Sequence, residues 1–271
     1  VAQSSKVYTQ GFHSFVPADP LDKKKKKRAG NWRQTMRAGQ QALTNGDFKA
    51  AREFFGQSLD AGNIWAAWYL GWLHEYGYGV KRNPAKAFGY FNLVSKEADF
   101  DRARRRELHL AVDARVRVAN AYRTGLKSAG VPRHPQHAYN LYMAMTAYNH
   151  PGSFHGLGLM YINGVGVRKN ATRGLLRLRQ AARNGYVPSQ LLLSSFHLKG
   201  RYLRHDRVRA FMWYILARQS DGQRNYPELS SRIEPALAKA TAQELEAASI
   251  AAQRWIQMYG SQRPTVTPTT N

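Results

Sequence analysis

"LGWLHEYGYGVKRNPAKAF", residues 70–88, decides how the whole chain is read. A helical apolar run, a glycine pair, a short basic patch and a second helical pattern follow one another. The glycines at 77 and 79 admit two readings, a phosphate loop or a turn between helices. A phosphate loop needs a strand before it and a helix N-terminus aimed at the anion. Here a helical pattern precedes the glycines, and the motif recurs. "YLGWLHEYGYGV" (69–80) aligns with "GLGLMYINGVGV" (156–167), pairing Leu70 with Leu157, Gly71 with Gly158, Gly77 with Gly164 and Gly79 with Gly166, each 87 residues apart. The glycines therefore read as turns.

Shorter offsets fill the interval. Gly164 to Gly200, Gly174 to Ala210 and Ala138 to Gly174 are each 36 residues, Ala50 to Ala87 is 37, and Ala87 to Ala138 is 51. The pattern is about five copies of a unit of roughly 36 residues, with an insertion near 95–113. A fixed period in this range marks a solenoid. Within each unit one helix ends at the glycine turn and a second opens near Asn83-Pro84 or Asn170, as an Asn cap followed by proline predicts. Small residues (Ala67, Gly71, Ala87, Gly158, Ala181, Ala182) recur where two helices must approach. At the far end, Thr241 and Glu244 form a capping-box pattern. Leu245, Ala248, Ala252, Ile256 and Tyr259 then share one face of a helix that Gly260 stops, as expected of a helix closing the stack. The predicted fold class is an all-α, right-handed α-solenoid. Its divisions are an extended basic arm (1–33), the repeats (34–260) and a disordered Pro/Thr-rich tail (261–271).

The recurring "A-x-x-LG-x-L/M-Y-x-x-G-x-GV-x-x-N-x-x-KA" resembles the Sel1-like repeat, a relative of the tetratricopeptide repeat. "AAWYLGWLHEYGYGVKRNPAKAF" and "GLGLMYINGVGVRKNATRGLLRLRQAARNGY" carry nearly all of it. Residues 34–62 look like a plain tetratricopeptide unit. The third unit stretches its turn to "TGLKSAGVPRHPQHAY", and the last replaces G-x-GV with "KGRYLRHDRVRAFMWYILA". The resemblance spans about 34–217 and implies a non-enzymatic module that binds another protein. The order of units is similar to that of ExoR, the alphaproteobacterial periplasmic regulators of exopolysaccharide synthesis. That likeness implies a periplasmic sensor-kinase domain as partner. The strong positive charge is not a feature of that family.

Composition limits the alternatives. The chain has 271 residues, 43% of them hydrophobic, and 41 Lys+Arg against 17 Asp+Glu, a net charge of +24. The run Lys23, Lys24, Lys25, Lys26, Lys27, Arg28 explains only part of it, so the folded body is itself basic and an anionic partner is expected. Clusters at Arg104, Arg105 and Arg106, and at Arg173 and Arg177, extend the anionic-partner patch. Such surfaces hold polyanions without reading sequence, and no nucleic-acid-binding signature accompanies them. Without cysteine there are no disulfides, thiolate metal sites or Cys nucleophiles. No apolar run reaches the ~18 residues that span a bilayer. Val1 and "VAQSS" would suit the position after a removed signal peptide, which favours the periplasm; a cytoplasmic or organellar assembly is the alternative.

The nine histidines offer only the pairs "HPQH" (134–137) and "HPGSFH" (150–155), neither with a third ligand, so no metal and no cofactor are expected. A pH-sensing histidine stays open. The aromatics are more informative. With Ala67, Leu70, Gly71 and His74 at inward positions, Trp68, Trp72 and Tyr76 form a stripe pointing away from the core. Arg117, Asn120 and Arg123 fall in similar register in the next unit. One reading is a partner groove lined by aromatics and arginine, the residues enriched at binding hot spots. The other packs the tryptophans against the arm or the insertion. A different class, a basic structural or nucleic-acid-associated subunit of a large assembly, fits the charge, as does a binder of anionic glycan or membrane surface.

Overall fold

The structure, a computed structural model, describes residues 32–220, 226 and 230–259. The lysine run at 23–28, nearly all of the expected arm and the expected tail lie outside the described residues. Twelve α-helices are present among them: α1 (Trp32–Thr44), α2 (Phe48–Asp60), α3 (Trp65–Tyr76), α4 (Pro84–Glu97), α5 (Arg105–Thr124), α6 (Pro135–Thr146), α7 (Pro151–Asn163), α8 (Ala171–Arg183), α9 (Val187–Lys199), α10 (Arg207–Ser220), α11 (Glu234–Leu237) and α12 (Ala242–Tyr259). The sole extended pairing among the described residues is a single bridge, Leu126 to Val131. Helices pack in sequential pairs, α1 with α2, α3 with α4, α7 with α8 and α9 with α10. The all-α repeat class expected from the sequence holds.

The chain divides into two compact units. Of the described residues, the first contains 32–121 together with Gly125–Arg133, and the second contains Tyr122–Thr124 and those from His134 to Tyr259. Each is described on its own.

Caps set the register of the repeats. The side chains of Asp47, Asn83, His134, Asn170 and Asp206 each accept a hydrogen bond from the backbone N–H three residues on. These caps lie 36, 51, 36 and 36 residues apart, so the first spacing equals the later ones, where alanine alignment had suggested 37. A second bond repeats with them. The backbone N–H of Asn83 donates to the His74 carbonyl, His134 to Tyr122, Asn170 to Tyr161 and Asp206 to His197, at 2.7–3.1 Å. Each closes the turn between successive helices and satisfies a carbonyl that the helix end leaves open.

The glycine turns are built as the sequence indicates. Gly77 ends α3 and Gly164 ends α7 in the left-handed conformation, φ 76° and 68°. At Gly71 the fold needs the missing Cβ for space, because one placed there would lie 2.9 Å from the Phe91 ring. In the last repeat Gly200 keeps its place, φ 62°, but Tyr202 stands where the second glycine belongs and still adopts φ 66°. Its ring packs edge-on against Phe196, 5.1 Å between centroids, so a packing contact offsets a backbone geometry that disfavours a side chain.

The residues inserted in this repeat do not form an element of their own. The added residues lengthen the loop at 98–104, extend α5 to 20 residues where α3 has 12, and enlarge the following turn, which carries a short 3-10 turn at Lys127–Ala129. α1 also begins at Trp32, inside the segment expected to be arm. α12 forms as predicted. Its Thr241 and Glu244 exchange backbone and side-chain bonds at 2.9 and 3.2 Å, and Ala248 and Ala252 are buried against α10.

Candidate functional site

The first unit carries an aromatic face along α3. Tyr69 and Leu73 point inward and are buried, while Trp65, Trp68 and Trp72 are half-buried and Tyr76 is 38% exposed. Helical spacing places 65, 68, 72 and 76 along one side. At its C-terminal end the face continues into a cluster. Trp72 lies 4.9 Å from Tyr78 and 5.7 Å from Tyr76, and Phe48 stacks on Tyr78 at 4.8 Å. At its N-terminal end is a shallow cavity of about 270 Å³, lined by Trp32, Met36, Trp65, Tyr69 and Leu110 with Arg104 and Arg106 at its edge. Arg106 donates to the Tyr69 hydroxyl at 3.3 Å.

Between these ends the face is fixed by an ionic group. The indole N–H of Trp68 donates to Asp113 at 2.7 Å. Arg117, one turn further along α5, bonds to Asp113 and to Glu75 of α3. The Arg117 side chain is 15% exposed and that of Asp113 12%. Burial works against the Arg117 charge, but the Asp113 and Glu75 carboxylates outweigh it and hold the guanidinium charged well beyond its ordinary range. The same guanidinium lies 4.8 Å from the Phe91 ring centre and 5.9 Å from that of Trp68.

The stripe is therefore divided. Trp68 is held by the lengthened α5, which is the packing alternative raised from the sequence. Trp72 and Tyr76 retain exposed surface. Arg117 is corrected from an open groove cation to the centre of an internal ion group. Asn120 is half-buried on α5. Arg123 belongs to the second unit, where it donates to the Tyr142 hydroxyl at 3.3 Å. The sequence reading missed Asp113, Glu75, Phe48 and Tyr78. Tyr78 was the legible one, since it sits between the turn glycines where the second copy has Val165.

The arginine patch is likewise sorted. Arg104 is exposed and bonds to Glu107 at 2.6 Å, so its charge is locally balanced. Arg105 is exposed. Arg173 is exposed on α8, and Arg177 is half-buried, bonded to Gln180 at 3.2 Å and lying over Phe154. The histidine pairs serve as structure. His134 caps α6, and burial together with His134 pushes the His137 imidazole below its usual value. His155, whose Nδ1 lies 2.8 Å from the Ser189 hydroxyl, is pushed down to about 3 by burial and by the charge of Arg123. Among the described residues no group of three His, Asp or Glu could hold a metal ion, and no helix is long and apolar enough to cross a membrane.

The sequence pattern of the Sel1 repeat matches four segments: 66–97, 112–142, 155–186 and 187–221. The chain belongs to the Sel1 repeat family. Its fold is similar to that of a Sel1 repeat protein from Oxalobacter formigenes, at 21% identity over 86% of this chain and 89% of that one, with a TM-score of 0.54. Weaker likenesses are to the immunity protein Pa5087 of Pseudomonas aeruginosa (16% identity, 79% and 92% covered, TM-score 0.43) and to c5321, a protective antigen of uropathogenic Escherichia coli (18% identity, 89% and 60% covered, TM-score 0.42). No curated protein sequence matches the chain.

Proposed function

We propose that the chain is a non-enzymatic adaptor that binds a protein partner through the aromatic face of α3. One observation carries this: Trp72 and Tyr76 of α3 and Tyr78 of the following turn form a contiguous aromatic surface, and neighbouring residues of that helix are locked by the Asp113–Arg117–Glu75 group. Rigid aromatic surface of this kind gives large contact area at low entropy cost, which is how hot spots work. The cavity at Trp65 and Tyr69 suits an apolar side chain, with Arg106 at its rim and Arg104 balanced by Glu107. The repeat family supports a protein partner. The narrower reading, a periplasmic inhibitor of a sensor kinase, rests on the order of repeat units and makes that partner a periplasmic sensor domain.

The test is affinity capture from nuclease-treated extract with wild type and with Trp72→Ala/Tyr76→Ala. A partner retained by the first and lost by the second supports the reading. Equal capture by both removes it. Cell fractionation of the native protein tests the periplasmic version, and recovery in the cytoplasm overturns it.

A further inference from the structure

Between Asp113 and Asp206 the chain contains no Asp or Glu, yet it contains 14 Lys and Arg. Much of that charge lies on the second unit. There a cleft of about 570 Å³ is lined by Arg179 of α8, by His197, and by Arg204, His205, Arg207 and Arg209 around the start of α10. It also contains two acids, and both are engaged. Glu244 binds Arg207 at 2.7 Å, and Asp206 caps α10 and meets Arg209 at 3.3 Å. Arg179 and Arg204 are exposed, and among the described residues neither is paired with a carboxylate.

Aromatic rings lie beyond the cleft's lining, further along α12. Arg183 is one turn beyond Arg179 on α8, about 6 Å along the helix. Its guanidinium lies 5.1 Å from the Tyr259 ring centre and 6.0 Å from that of Trp255. Those two rings are 4.4 Å apart, and Trp255 is anchored against Trp213 at 4.7 Å. A cationic groove beside arginine-backed aromatic rings is the arrangement that holds single strands, with phosphates in the groove and bases on the rings. Arginine's planar fork also matches phosphate better than an ammonium does. A folded protein partner would ordinarily be met by charges of both signs that fix its register. Here both acids are engaged by arginines of the cleft, and the exposed charges without a carboxylate partner, Arg179 and Arg204, are of one sign, which suits a polymer of one sign.

We infer that the cleft at Arg179 and Arg204, together with Arg183, Trp255 and Tyr259 beyond it, is a site for single-stranded nucleic acid, bound without sequence preference. It is separate from the protein-binding face of α3, and neither reading depends on the other.

The experiment uses the full chain and a fluorescein-labelled, mixed-sequence DNA strand of about 30 nucleotides, read by anisotropy from about 50 to 200 mM salt. Arg179→Gln/Arg183→Gln/Arg204→Gln should lower the salt slope of log K by about 2 and weaken binding roughly 100-fold near 0.1 M salt, three single-strand phosphate contacts at ~0.7 each. Lys81→Gln/Lys86→Gln/Lys96→Gln removes the same charge from the first unit and should cost less than about threefold. Tyr259→Ala should weaken binding roughly 5- to 100-fold with no change in salt slope, because stacking releases no counterions. Circular dichroism checks that each variant is folded; should Tyr259→Ala unfold, the two charge variants still decide. Equal losses from the two charge triples would overturn the site, leaving net charge alone as the cause. Competition by polyglutamate as effective as that by unlabelled DNA would also overturn it, and would point to an acidic protein segment.

Discussion

Replacing Arg117 by Met tests whether the ion group really holds the aromatic face. The substitution keeps a long apolar stem but leaves two carboxylates facing each other. Asp113 is 12% exposed at its side chain and Glu75 35%. Removing one partner of a buried pair costs about 3–5 kcal/mol, since the remaining charge stays uncompensated. Here the lower end is expected, because Glu75 retains solvent and Asp113 keeps the Trp68 N–H. A loss of about 3 kcal/mol in a chain of this size lowers the thermal midpoint by roughly 6–12 °C. Urea unfolding followed by tryptophan emission is a suitable assay: four of the six tryptophans (32, 65, 68 and 72) lie in the first unit. Arg117→Met/Asp113→Asn should be less destabilised than Arg117→Met alone, since the orphaned carboxylate is gone. A loss below about 1 kcal/mol for Arg117→Met, the range of a solvent-screened pair, would refute the reasoning.

Three further outcomes follow from the geometry. Gly79→Ala should cost more than about 2 kcal/mol, because φ is 65° and the new Cβ would sit 2.6 Å from the Phe48 carbonyl carbon; Gly46→Ala, at φ 75° in open space, should cost only about 1 kcal/mol. Equal effects in denaturant titrations would show that the close approach is absent. His155 stays neutral when folded, near 3 against 6.5 when unfolded, so its contribution is complete above pH 6.5 and is lost as pH falls toward 3. At pH 5 the loss is about 2 kcal/mol, and His155→Gln should flatten the thermal midpoint against pH over that window; an unchanged profile would count against burial of the ring. Asn170→Ala removes the α8 cap and should cost about 1 kcal/mol by thermal melting, a figure that a silent variant would contradict.

The repeat was legible because its markers are local. Turn glycines, Asn caps and small contact residues each act within a few positions, so their spacing could be read directly. The site was legible only in part. Trp68, Trp72 and Tyr76 declare a common face by helical spacing alone. The bond from Trp68 to Asp113 spans 45 residues and depends on α5 being longer than its counterparts, which the loss of period in that region concealed. Arg117 looked like an available cation for the same reason, since its partner Glu75 lies 42 residues away. Tyr202 in a glycine position had no signal except misalignment with the earlier turns.

Hydrogen exchange on the captured complex is the most direct test of the account. With the partner bound, amides from Trp65 to Tyr78 should exchange more slowly than in the free chain, and this protection should disappear in Trp72→Ala/Tyr76→Ala. Protection confined to α8 and α12, with α3 unchanged, would contradict it.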